Sequence, residues 1–266
     1  MTKSLIELEN IVNSSGFIFQ VGVAHAVTDS EDVHGFKVVA VEHPWHSDAG
    51  DGFIDLIAES GPMRLVCECK RTRDANWIFL VENHRQQLER ARLYYSHVVK
   101  LVLHDYAWAD FALTTDSYES AFCMIRGQGE NDSPLLERLA SRLVISVESL
   151  AKEESELTWH RSDDEWRLYL PMIITNANLF VCRYLPEDID LETGRVSRAA
   201  FDEVPAVRFR KALTTSGQDK SRGTLAELSA VQERTILVVN SRALVTVLTN
   251  WRAGVIRDSD ALWHRR

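Results

Sequence analysis

Apolar residues recur at helical spacing over residues 4–13. Leu5, Leu8 and Val12 fall on one side with Ile11 beside them, and Ser4 is placed to cap the first turn. Gly16 interrupts that pattern. Residues 17–27 are almost continuously apolar, which suits a strand and a second helix equally. Residues 36–43 pattern as a strand stopped by Pro44, and the polar, glycine-bearing stretch 46–52 as a loop. Two short runs rich in β-formers, 53–59 and 63–71, flank Ser60-Gly61-Pro62, which predicts an antiparallel hairpin. Leu88, Ala91, Tyr95 and Val98 then predict an amphipathic helix over 84–98. The remainder predicts a strand at 121–125, a helix over 134–152 with Pro134 in its first turn, and strands at 167–174 and 178–184. A polar surface excursion over 186–205, a mobile stretch over 214–224, a strand at 235–240 and a helix over 241–251 complete the chain.

This order of elements makes the protein α/β. Residues 1–127 form one mixed unit. Residues 128–266 form a C-terminal α/β extension, either a second lobe or a continuation of the same sheet. The 266 residues allow one or two domains. No apolar run approaches the roughly 18–20 residues of a membrane helix, and the N-terminal stretch lacks the apolar core of a secretory signal, so a cytoplasmic protein without a membrane partner is expected. The four cysteines include no C-x-x-C pair, which argues against structural zinc and for small buried hydrophobes. No glycine-rich phosphate loop and no serine nucleophile elbow is present.

Candidate chemistry concentrates in the hairpin. Side chains alternate along a strand, so Glu68 and Lys70 share one face with Val66, while Leu65, Cys67 and Cys69 take the other. Closure over Gly61-Pro62 makes opposed residue numbers sum to about 123, which sets Asp55 against Glu68 on the same face. Two apposed carboxylates repel unless a cation lies between them. A hard divalent ion held by the two carboxylates, with the Cys69 carbonyl as a further oxygen ligand, resolves that repulsion. Lys70 beside it is placed to orient a water or to stabilise a phosphate in its transition state. The alternative is an exposed edge strand with a surface ion pair, although unpaired charge in so apolar a strand is costly.

Asp55 followed by Glu68-Cys69-Lys70 on the next strand resembles the signature of the PD-(D/E)XK nucleases, the restriction-endonuclease-like superfamily. The resemblance covers roughly residues 1–127, with Ile54 where the family pattern has proline. It implies a mixed sheet flanked by helices and a metal-dependent nuclease in which Asp55 and Glu68 hold Mg²⁺, with Mn²⁺ as its substitute, while Lys70 assists the water. By the same resemblance Glu9 on the first helix adds a metal ligand and Gln87, rather than Gln86, adds a polar group from the helix after the hairpin. The Gln-x-x-x-Tyr pattern of the exonuclease branch is absent. A DNA endonuclease in bacterial restriction, repair or anti-phage defence is the expectation by analogy. A non-catalytic scaffold or regulatory protein that keeps a nuclease-like core is the alternative.

Charge shapes the partner expectation. Thirty basic against 39 acidic residues give a net charge of −9, which repels a polyanion from the surface as a whole. Basic residues nevertheless gather near the hairpin, with Arg71 and Arg73, and in Val207-Arg208-Phe209-Arg210-Lys211. These are candidate phosphate contacts; solvated loop charge and sheet-edge protection are the competing readings. The acidic balance also points to a homo-oligomer or a partner protein that helps to place DNA.

Overall fold

The computed structural model describes residues 4–72, 75–83, 90–100, 102–114, 117–125, 134–158, 164–213 and 224–255. Three helices open it: α1 (Leu5–Ser14), α2 (Gly16–Asp29) and α3 (Glu31–His34). Next come β1 (Lys37–Ser47), β2 (Gly50–Ser60), β3 (Met63–Lys70), β4 (Asn76–Glu82), β5 (Arg90–Val99), β6 (Leu103–Thr114), β7 (Tyr118–Ser120) and β8 (Cys123–Ile125). The long helix α4 (Leu135–Thr158) leads into β9 (Asp164–Thr175), β10 (Asn178–Tyr184), β11 (Ile189–Asp190), β12 (Arg195–Val196), β13 (Ala199–Val204) and β14 (Ala206–Ala212). The last elements are α5 (Leu225–Gln232), β15 (Glu233–Asn240), α6 (Leu244–Asn250) and β16 (Arg252–Val255).

The main sheet runs in the order β1-β2-β3-β9-β15-β14-β7. Strand β5 lies antiparallel to the first half of β9 and carries β6 and then β16 outward. A smaller sheet, β13-β10-β4-β8, continues the parallel pairing of β3 with β9 into that of β4 with β10. The architecture is therefore mixed α/β with helices on both faces. Because β9 pairs with β3 over residues 168–175 and with β15 at its end, the second half of the chain extends the sheet of the first half.

Helix α4 has an amphipathic sequence. Leu136, Ala140, Leu143, Val144, Val147 and Ala151 recur at three- and four-residue intervals and all are buried. They pack on Ile57, Val66, Tyr169 and Ile173 of the sheet and on Trp77, Phe79 and Val181 of the smaller sheet. The opposite core joins Val23 and Val27 of α2 and Leu248 of α6 to Leu65, Cys67, Met172 and Leu237. Helix α1 has a full capping box from Ser4 and Glu7 but buries no residue, so Leu5, Leu8, Ile11 and Val12 face outward. Among the described residues no single helix is long and apolar enough to cross a membrane; α1 and α2 pass such a test only as a pair bent by 67°.

Several expectations are corrected here. Residues 90–99 form a strand, not the second half of a helix. Ala91, Tyr95 and Val98 fit helical spacing, but Tyr94, Tyr95, Val98 and Val99 are β-formers, and strands on both sides fix the extended form. Residues 84–89, with Gln86 and Gln87, lie outside the described residues. Pro44 does not stop its strand, because β1 is an edge strand and the missing N–H interrupts no ladder inside the sheet. The stretch 46–52 holds the end of β1 and the start of β2 around a turn at Asp48-Ala49, rather than a loop. The excursion 186–205 includes β13, which pairs with β10. Residues 17–27 are helical, and most of 214–224 lies outside the described residues.

Met172 in β9 is fully buried between β3 and β15. Met172→Ala should cost about 2–5 kcal/mol. Urea denaturation of the wild type and the variant should each show one transition by tryptophan fluorescence and circular dichroism; two separable transitions would mean that the halves fold independently.

Candidate active site

The hairpin closes as its sequence predicts. Ser60 pairs with Met63, and each successive pair sums to 123 as far as Leu56 and Cys67. There the ladder is interrupted by a side chain. The Cys69 amide donates to Asp55 Oδ2 at 2.6 Å, so a carboxylate takes the place of a backbone acceptor. In an extended strand the N–H and C=O of one residue point to the same side, so the Cys69 carbonyl also faces Asp55 rather than β9.

The neighbouring edge strand is distorted at the same level. Glu42 has φ of +54°, a left-handed conformation that costs a non-glycine residue free energy and is held only by its surroundings. Here the surroundings are Gln20 of α2, only 5% exposed, whose Nε2 donates to the Asp55 carbonyl at 3.0 Å and also to Glu42 Oε1. Alternation breaks as well: Ile54 and Ile57 both join the core beneath α4, although residues an odd number of positions apart take opposite faces of a regular strand.

Electrostatics follow from this crowding. Burial pushes the Glu68 carboxyl up to about 7, helped by the charge of Asp55. Burial also raises Asp55; the Cys69 hydrogen bond opposes that shift and Glu42 adds to it. Lys70 and Arg142 of α4 act on both acids in the other direction. Among the described residues neither cation closes an ion pair with them. Arg142 also lies against Gly52, where any Cβ would collide with the guanidinium.

The structure thus gathers Asp55, Glu68, Lys70 and the Cys69 backbone. Glu9 lies exposed on α1, and the third acid beside Asp55 is Glu42 from β1. Glu42, Gln20 and Arg142 were not singled out by the sequence. Their only sequence signal is weak: a polar Gln20 inside an apolar helix. Arg71 donates to the Asn13 carbonyl and ties the end of α1 to the strand, while Arg73 lies outside the described residues. The other basic candidates are engaged internally. Arg208 is 1% exposed and donates to the Arg90 and Ser117 carbonyls at 3.0 and 3.1 Å. Arg210 pairs with Glu233 at 2.7 Å and Asp110 at 3.2 Å, and Lys211 pairs with Glu137 and lies over Phe122. Strand β14 has β15 and β7 as neighbours, so these cations lie on an interior strand, each engaged by carboxylates or carbonyls of the protein.

Two carboxylates and a backbone carbonyl are hard oxygen donors of the kind that magnesium takes, and both carboxyls are short of neutralising charge. The donor set fits such an ion, although among the described residues no three His, Cys, Asp or Glu side chains converge as a metal-holding group. Comparison with known protein families, characterised proteins and solved structures finds no match.

The raised Glu68 binds its proton more tightly folded than unfolded. Its contribution to stability is therefore complete below pH 4.5 and is lost as pH rises through about 7. Glu68→Gln, which cannot ionise, should match the wild type at pH 4.5 and exceed it at pH 8 by on the order of 3 kcal/mol in metal-free buffer. Chemical denaturation at the two pH values measures this; equal stability at pH 8 would show that Glu68 is not under electrostatic stress.

Proposed function

We propose that the protein is a metal-dependent phosphodiesterase of PD-(D/E)XK type, acting on nucleic acid, with DNA as the first substrate to test. The observation that carries this reading is the anchoring of Asp55 to the Cys69 amide, which brings two electrostatically stressed acids and Lys70 to one end of the hairpin. Asp55, Glu68 and the Cys69 carbonyl would hold the metal. Bound magnesium supplies charge neutralisation at the phosphate and an activated water. The chain's own groups do the rest. Asp55 is kept oriented by its hydrogen bond, and Gln20 fixes the backbone beneath it. The Lys70 Nζ hydrogens hold the attacking water or a non-bridging phosphate oxygen as negative charge builds there.

A specific observation favours the second reading. Arg142 acts on both acids from α4, and a guanidinium can neutralise them in place of an ion. In that case the site is a structural ion cluster in a non-catalytic scaffold.

Cleavage of plasmid and of single-stranded oligonucleotides, in magnesium and in EDTA, separates the two. Lys70→Ala should fold normally and lose about 10²-fold or more of a magnesium-dependent activity. A wild type that cleaves neither DNA nor RNA, or a Lys70→Ala variant with full activity, would reject the nuclease reading.

A further inference from the structure

A second feature lies along the same strand ends. Strands β3, β9 and β15 are parallel, and Lys70, Thr175 and Asn240 form one row across them. Two strand spacings, about 10 Å, separate the outer members of that row. Just beyond it, where the main sheet hands over to the smaller one, is a cleft of about 270 Å³ lined by Ala75, Asn76, Asn176, Asn178 and Arg242. The carboxyl ends of parallel strands are where open α/β sheets place ligands.

The lining is built and rigid. The Thr72 amide donates to Asn176 Oδ1 at 2.7 Å, and Asn176 Nδ2 returns a bond to the Thr72 carbonyl at 2.9 Å, so the residues after Lys70 are clamped to the end of β9. Asn240 Nδ2 donates to the Ala177 carbonyl at 2.7 Å, and its Oδ1 accepts from the Arg242 amide at 2.9 Å, which fixes the backbone that carries Arg242. Asn178 Nδ2 donates to Asn76 Oδ1 at 3.5 Å, and Asn178 Oδ1 is buried without a hydrogen-bond partner, an uncommon state for a native polar atom. The lining contains no acid and, apart from Ala75, no apolar side chain.

We infer that this cleft is a nucleotide subsite, in which Arg242 takes a phosphate and the Asn76 and Asn178 amides take the hydrogen-bonding edge of the adjoining nucleoside. One cation suits a single phosphate, and carboxamides, which donate and accept, suit a base or sugar edge. The cleft is the size of one nucleotide unit rather than of a larger ligand. A strand bound there extends across β9 toward Lys70. The choice of a nucleic-acid strand as ligand rests on the nuclease reading, whereas the recognition of a phosphate does not.

The test is binding of a fluorescein-labelled 12-mer of single-stranded DNA to the full chain in EDTA, with inorganic phosphate and adenosine monophosphate as competitors. Arg242→Ala, an exposed position that should fold normally, should weaken 12-mer binding tenfold or more and lower the slope of log affinity against log salt by about one. Asn178→Asp, which sets a carboxylate in the cleft, should weaken it comparably, and the monophosphate should compete better than inorganic phosphate. Absence of 12-mer binding, or binding unchanged in both variants, would overturn the subsite. Binding that depends on Arg242 in a protein that never cleaves with magnesium would reject the nuclease reading and leave the subsite standing. Magnesium-dependent cleavage with unchanged binding in both variants would do the reverse.

Discussion

A two-residue turn at Gly61-Pro62 sets the register of β2 against β3, and a shift of one residue would send every side chain to the opposite face. That register brings Asp55 level with Glu68. The hydrogen bond from the Cys69 amide then replaces the next rung of the ladder and pins the carboxylate where the two strands part. Because both faces of β3 are buried beneath α2 and α4, slippage would bury Glu68 and Lys70 in an apolar core, so packing enforces the same register as the turn.

Such a cluster opposes folding more than it assists it. Two acids crowded out of water repel each other, and a third, Glu42, stands close in a strained backbone conformation. Gln20 relieves part of this by donating to the Asp55 carbonyl and to Glu42, while Lys70 and Arg142 offset charge from opposite elements. Strain and unneutralised charge concentrated in one place, within a sheet that is otherwise regularly packed, are the pattern of a functional site. The cleft at Arg242 lies along the same carboxyl-terminal row of strands and adds a cation to a protein whose net charge is negative.

The hairpin, its register and the Asp55, Glu68 and Lys70 cluster were legible in the sequence because a tight turn and period-two alternation are local properties. Helix α4 was legible for the same reason, through its apolar stripe. Segment 90–99 was not: Ala91, Tyr95 and Val98 mimic helical spacing, and only pairing with β6 on one side and with β9, far along the chain, on the other decides for a strand. Arg208, Arg210 and Lys211 read as a basic surface run because a sequence does not show which carboxylates and carbonyls will surround a cation. Glu42 and Arg142 escaped notice since each reaches the site from an element that the sequence connects to it only through the fold.

In the proposed function Asp55, Glu68 and the Cys69 carbonyl form a seat for a divalent cation. Anomalous diffraction from crystals soaked in manganese tests it most directly. One strong anomalous peak is expected between the two carboxylates on the Cys69 side, lost in Glu68→Gln. A map with no peak there, and the Arg142 guanidinium lying between the two acids instead, would contradict it.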